Sequence, residues 1–305
     1  RAELAVRRSS ASAAAAALRG SLVRMTTDLT WLDAVGQAEL VASGKASPRE
    51  LVDAAIARIE KLDGRLNAVV TPLYEKARAE ASGALPNGPF KGVPFLMKDL
   101  LAARAGDPIY NGNRVMKALD LRSPITTYLA QRYVEAGLIV LGKSATPEFG
   151  LQPTTEAIAY GATHNPWDLS RSPGGSSGGA GAAVASGMVP IGHGGDGGGS
   201  IRIPASACGI VGLKPSRGRN SVGPLAGEAW NGLACEHALT RTVRDTAAVL
   251  DATQGYMPGD PYATPDPERP FAEEARRAPG KLRIAFMDRS PHGIAPVHAD
   301  CRAAV

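Results

Sequence analysis

At 305 residues, 44% hydrophobic and 21% charged, the chain is long enough to bury a large core and has the composition of an ordinary soluble globular protein. Its net charge of +5 is local: Arg1, Arg7, Arg8, Arg19 and Arg24 stand against Glu3, so residues 1–24 hold +4 and the remainder only +1. No basic surface recommends nucleic acid as a partner, and no apolar run approaches the ~18 residues that a membrane-spanning helix needs.

Residues 1–24 are rich in alanine, serine and arginine. They read as translated upstream sequence, non-native or disordered, with a transit peptide as the alternative, because Met25 opens a stretch that looks like an ordinary protein start. Cys208, Cys235 and Cys301 are widely spaced without a CxxC pair, which fits a reducing, cytoplasmic compartment. The five histidines show neither HxxxH nor HExxH spacing, so neither metal nor cofactor is expected.

The predicted elements begin with Ser47-Pro48-Arg49-Glu50, a capping box with proline at the first helical position. Leu51, Val52, Ala55, Ile56 and Ile59 follow at helical spacing, and the helix is expected to end near Gly64. Asn67–Thr71 reads as a short strand, Leu73–Ala81 as a helix, and Val93–Lys98 as a buried strand delivering a lysine. A helix over Ile125–Ala136 and a strand over Leu138–Leu141 come next. A helix is expected over Gly179–Gly187, a strand over Met188–Ile191, a helix over Arg241–Thr253 stopped by Gly255, and a strand over Leu282–Phe286. A last helix begins near Val297 and is cut off at Val305, which suggests truncation at the C-terminus. Strands alternating with helices imply one α/β domain over residues 25–305, with a mixed central sheet covered by helices.

The densest signal lies at Gly174–Ser200, which holds twelve glycines with serines at both ends. Each glycine gives up conformational entropy and packs no side chain, so the stretch is not expected to fill helix or sheet. It suits a backbone that approaches a ligand and turns its N–H groups inward. Amide hydrolysis needs a nucleophile, a base, a donor for the departing amine and an anion site. Ser200 follows Gly197, Gly198 and Gly199, so its hydroxyl can sit on a turn whose N–H groups converge as an oxyanion hole. Lys98 can act as base only if burial keeps it neutral, and Val93, Phe95, Leu96 and Leu100 make that burial plausible. Ser176, able both to donate and to accept, would relay protons between them. Ser177 reads as a loop-fixing residue, and Asp196 with Arg202 as an ion pair bracing the nucleophile loop. Lys214 reads as solvated or loop-bracing, Cys208 as a small buried hydrophobe, and His193 and His237 as structural. A phosphate cradle is the competing reading of GGSSGG, but no GxGxxG follows a first strand.

The segments GVPFLMKDL, LGKSATPEFG, NPWDLSRSPGGSSGGAGAAVA, GGDGGGSIRIPAS and GIVGLKPSRG, in that order, resemble the amidase signature family. Within it, GQAELVASGKAS and SIRIPASACGIVGLKPSRGR are similar to the nylon-oligomer hydrolases. The resemblance implies the family fold and a Ser–cis-Ser–Lys triad of Ser200, Ser176 and Lys98, with a cis bond at Gly175–Ser176. It implies oxyanion N–H groups from Gly197, Gly198, Gly199 and Ser200, and a carbonyl near Gly150 that holds substrate. The expected activity is hydrolysis of a small carboxylic amide, linear or cyclic, with no cofactor and with a homo-oligomer left open. An amidotransferase subunit handing ammonia to a partner acting on charged tRNA, or a catalytically silent fragment, is the alternative. Gly195 departs from the family where Thr or Ser is frequent, as does SATPEF where TNxPEF is usual. Members normally continue well past this C-terminus.

Overall fold

The computed structural model describes residues 29–290, 292–294 and 296–305, so the expectation for residues 1–24 lies outside the described residues. The chain divides into two units, one ending at Ala275 and the other spanning Arg276–Val305.

In the first unit, helix α1 (Ala34–Ala42) opens on Asp33, whose side chain accepts from the Gly36 amide. Helix α2 (Pro48–Leu66) begins at the expected capping box: the Glu50 amide donates to Ser47 Oγ at 3.2 Å and the Ser47 amide to Glu50 Oε2 at 2.8 Å. It runs past Gly64 to Leu66, because Asn67 takes the left-handed turn (φ 51°) and the Asp63 carboxylate accepts the Ala68 amide at 2.7 Å. Strand β1 (Val69–Pro72), helix α3 (Tyr74–Ser82), strand β2 (Pro94–Lys98), helix α4 (Arg114–Ala118), helix α5 (Tyr128–Glu135) and strand β3 (Ile139–Ser144) follow. Beyond them come a small hairpin, β4 (Glu156–Ala157) and β5 (Gly161–Ala162), then helix α6 (Gly178–Ala185) and strand β6 (Ile191–Asp196). Helix α7 (Arg202–Cys208), strands β7 (Val211–Gly212) and β8 (Cys235–Thr240), and helices α8 (Val243–Thr253) and α9 (Phe271–Glu274) complete the unit.

The central sheet runs β1-β3-β2-β6-β8-β7. Its middle pairs, β3/β2 and β2/β6, are parallel, and antiparallel partners flank them, so the sheet is mixed as expected. Alternation along β2 sends Leu96 to the layer of α2 and α6, and Phe95 and Met97 to the layer of α5 and α8. Both faces are therefore covered and buried.

Three expectations fail here for identifiable reasons. The helix expected over Gly179–Gly187 forms as α6, but the strand placed over Met188–Ile191 is instead Ile191–Asp196, so the stretch fills regular structure where its glycine content alone argued against it. The glycines are there for close approach. A Cβ on Gly179 would lie 2.2 Å from the Ala145 amide nitrogen and 2.6 Å from the Ala68 carbonyl oxygen, and one on Gly192 would lie 3.0 Å from Ala180 Cβ. Helix α6 thus lies with its backbone almost on the sheet, every residue buried. The strand expected over Leu282–Phe286 is not formed, and Leu282, Ile284 and Phe286 are exposed. A lone extended segment gains no ladder hydrogen bonds and is not stable by itself. In the Arg276–Val305 unit, helix α10 (Ala299–Ala304) is the regular element among the described residues, starting two residues after the expected Val297.

Candidate active site

Strand β2 ends on Lys98, whose side chain shares the face of Leu96 and points toward the start of α6. There its Nζ donates to Ser176 Oγ at 2.7 Å, with both residues buried. The Gly175–Ser176 peptide bond is cis. Ser177 caps α6, and its amide donates to the Ser200 carbonyl at 3.2 Å, stitching the loop of the middle serine to that of the last. Its hydroxyl reaches only to 3.5 Å from the Gly195 carbonyl, so its support is mainly through the backbone. Gly150 (φ 71°) packs against the pair: a Cβ there would sit 3.2 Å from Ser176 Oγ and 2.6 Å from Leu100 Cδ2.

Ser200, half-buried, follows β6 on a loop that Asp196 ties together. The buried Asp196 carboxylate accepts the amides of Gly199 (2.7 Å), Ile201 (3.1 Å) and Arg202 (3.3 Å), and both Arg202 guanidinium contacts at 2.9 Å. Burial pushes its pKa up, yet the guanidinium and the amides outweigh that and hold it below the usual carboxylate value. The bracing role read from the sequence therefore has its geometry. One oxyanion expectation changes with it. The Gly199 N–H, expected to face substrate, is committed to Asp196, which leaves Gly197, Gly198 and Ser200 as candidate donors. Gly198 faces open space, whereas a Cβ on Gly197 would lie 2.6 Å from the Trp230 ring. Gly195, where the family favours a larger residue, is filled from outside: Leu101 Cδ1 lies 2.3 Å from where its Cβ would be.

Burial brings the Lys98 pKa down to about 7, with the charges of Glu236 and Asp196 pulling partly the other way. A substantial fraction is therefore the neutral amine near neutral pH, as a base requires. His193 is buried and held below its ordinary pKa by desolvation, and its Nε2 lies 3.0 Å from Glu236 Oε2. Burial also lowers His237, to about 4, so it is a neutral ring. Burial raises Cys208 to about 12, the mark of an inert hydrophobe, and Lys214 sits 3.3 Å from Cys235 Sγ, a loop-bracing rather than solvated place.

Sequence reading missed the polar groups that surround the lysine. Asp99 accepts the amides of Tyr110 (2.9 Å) and Gly112 (3.2 Å) and the Tyr160 hydroxyl (3.0 Å), fixing the loop after β2. Lys143 on β3 and Glu236 on β8 are buried as well. The available signal was a charged residue inside a short strand, in LIVLGKS and CEHALT, which on a sheet covered on both faces implies a buried charge. Among the described residues no group of three or more His, Cys, Asp or Glu side chains is arranged to hold a metal ion, and no helix is long and apolar enough to cross a membrane.

A buried lysine bonded to a serine, beside a second serine on a glycine loop, defines a serine-centred site whose candidate base is an amine. The chain belongs to the amidase signature family: the Amidase pattern matches residues 50–305. It is 48% identical over 276 residues to a 6-aminohexanoate-cyclic-dimer hydrolase of Paenarthrobacter ureafaciens, covering 90% of this chain and 56% of that protein. It is 39% identical to an acylamidase of Rhodococcus erythropolis over 85% of this chain and 55% of that one. The solved structure of 6-aminohexanoate cyclic dimer hydrolase complexed with substrate superposes with a TM-score of 0.86 at 47% identity, over 90% of this chain and 57% of the other. The chain thus spans just over half the length of these relatives.

Proposed function

We propose that this chain carries the machinery of an amidase that cleaves the carbon–nitrogen bond of a small carboxylic amide through an acyl-enzyme on Ser200. The observation that carries the reading is the buried 2.7 Å contact from Lys98 Nζ to Ser176 Oγ. Neutral Lys98 takes the Ser176 proton as Ser176 takes that of Ser200, and Ser200 Oγ adds to the carbonyl carbon. The oxyanion is received by the N–H groups of Gly197, Gly198 and Ser200. The proton returns from Lys98 through Ser176 to the leaving nitrogen, the C–N bond breaks, and water releases the acid by the same relay in reverse. The relative named for 6-aminohexanoate cyclic dimer supports a linear or cyclic amide of an aliphatic amino acid as substrate. The three free cysteines, Cys208, Cys235 and Cys301, support a reducing, cytoplasmic compartment.

Ser200→Ala is expected to abolish both fluorophosphonate labelling and amide hydrolysis, with an unchanged circular-dichroism spectrum. Residual hydrolysis above about one part in a thousand removes Ser200 as nucleophile, since losing a nucleophile lowers the rate by more than that. Release of amine from a small amide by the purified chain alone separates this reading from the ammonia-transfer alternative.

A further inference from the structure

Three consecutive residues at the end of β2 each hold a different part of the site. Lys98 donates to Ser176 Oγ, and Leu100 packs on Gly150, where an added Cβ would lie 2.6 Å from Leu100 Cδ2. Between them stands Asp99, fully buried, whose own amide donates to the Ser144 carbonyl at 3.0 Å and so continues the pairing of β2 with β3. Its carboxylate reaches a loop further along the chain. Oδ1 accepts the Tyr110 amide at 2.9 Å, and Oδ2 accepts the Gly112 amide at 3.2 Å and the Tyr160 hydroxyl at 3.0 Å.

The two amides bracket a left-handed turn, with Asn111 at φ 51° and Gly112 at φ 67°. From that turn the Asn111 carbonyl accepts the Phe149 amide at 2.8 Å. Phe149 (φ 50°) and Gly150 (φ 71°) form a second left-handed turn, pressed against the first: a Cβ on Gly112 would lie 2.7 Å from the Thr146 carbonyl oxygen and 2.9 Å from that of Pro147. A bulky residue takes up a left-handed conformation only where its surroundings impose it, and such positions cluster at functional sites. The Phe149 side chain is 45% exposed, so burial of its ring does not impose the turn, whereas the bond from its amide does. Gly150 then lies against the middle serine, a Cβ there falling 3.2 Å from Ser176 Oγ and 3.6 Å from Ser176 Cβ. An unbroken path of contacts runs from Asp99 through the 110–112 turn and the 149–150 turn to the Ser176 hydroxyl.

We propose that Asp99 is a positioning residue for amide hydrolysis: by pinning the 110–112 turn it sets the 149–150 turn, and with it the wall against which the Ser176 hydroxyl meets Lys98. This rests on the relay role given to Ser176 above.

The test measures kcat and KM for a small amide, the rate of fluorophosphonate labelling at Ser200, and hydrogen exchange of the Phe149 amide. Asp99→Asn keeps one accepting oxygen and turns an N–H₂ toward groups that only donate. It should lower kcat and the labelling rate together by about 10–100-fold, the scale of a ~1 Å misplacement, leave KM within about twofold, and speed exchange at Phe149. Tyr160→Phe removes the third donor to Asp99 but no bond of the path, so it should leave kcat, KM and labelling within about twofold of wild type, whatever it does to the melting temperature. An Asp99→Asn chain that melts lower but labels at the wild-type rate, or a Tyr160→Phe chain that labels as slowly as Asp99→Asn, overturns the proposal. If Asp99→Asn does not fold, the middle of the path carries the test: Asn111→Gly accepts the left-handed turn and should label about tenfold faster than Asn111→Val, which resists it. Equal rates in those two overturn it. A wild-type chain that never labels at Ser200 defeats the acyl-enzyme reading instead; exchange at Phe149 then decides, and a rate unchanged in Asp99→Asn removes this proposal as well.

Discussion

Replacing Asp196 by asparagine tests whether one carboxylate holds the Ser200 loop. The native oxygens receive three amides and two guanidinium contacts within 3.3 Å. Asparagine keeps one carbonyl oxygen and turns an N–H₂ toward groups that only donate. Breaking a buried pair costs about 3–5 kcal/mol, but the Arg202 side chain is 54% exposed and can turn to water, so about 2–3 kcal/mol is expected. At about 2–4 °C per kcal/mol for a domain of this size, that lowers the melting temperature by about 4–12 °C. Hydrolysis should fall further than stability explains, since the same bonds set the Ser200 turn. Arg202→Ala should be milder, because the three amides still satisfy the carboxylate. The pH dependence has a fixed sign. Asp196 has a folded-state pKa below its unfolded value, so its contribution is complete above the unfolded value of about 3.9 and is lost as pH falls through the folded one. Melting curves of both variants and wild type at pH 7 and at decreasing acid pH measure this. An Arg202→Ala variant less stable than Asp196→Asn, or a gap between Asp196→Asn and wild type that persists in strong acid, would refute the argument.

Hydrolysis should fall as pH drops through about 7, where Lys98 gains its proton, and a pH–rate profile with no acid limb in that region rules out this base. Lys98→Ala should impair amides more than esters, because an amine must leave protonated, and Lys98→Arg should not rescue, since guanidinium stays charged; equal losses on the two substrates defeat the leaving-group role. Gly179→Ala should destabilise by about 1–3 kcal/mol through overpacking, its new methyl falling 2.2 Å from a backbone nitrogen, whereas Gly64→Ala, in helix α2 with open space around it, should stabilise by about 0.4–1 kcal/mol. Denaturant midpoints for the two variants should move in opposite directions.

Much of the site was legible because its chemistry is local in sequence. Ser176 and Ser200 announce themselves through the glycines beside them, Lys98 ends an apolar run, and Asp196 and Arg202 flank the loop they brace. The charge accounting around Lys98 was not legible. Glu236 lies 138 positions from Lys98 in the numbering, and only strand pairing, with Gly195 opposite Glu236, brings its carboxylate to the Ala102 amide just beyond β2. Gly199 shows the same limit at short range. Whether its N–H faces substrate or a carboxylate depends on where Asp196 points, and composition cannot state a direction.

The sequence by itself determined that this is an α/β chain of the amidase signature family, where helix α2 starts, and that Lys98 ends a buried strand. Caps, periodicity and glycine spacing are properties of neighbouring residues, and they survive in any correct reading of the string. Tertiary structure alone decided that the strand of the glycine-rich segment runs over Ile191–Asp196, with α6 pressed backbone to backbone on the sheet, and that Leu282–Phe286 forms no strand. Close backbone approach and ladder partners are supplied by distant chain, so neither can be read from the segment that needs it.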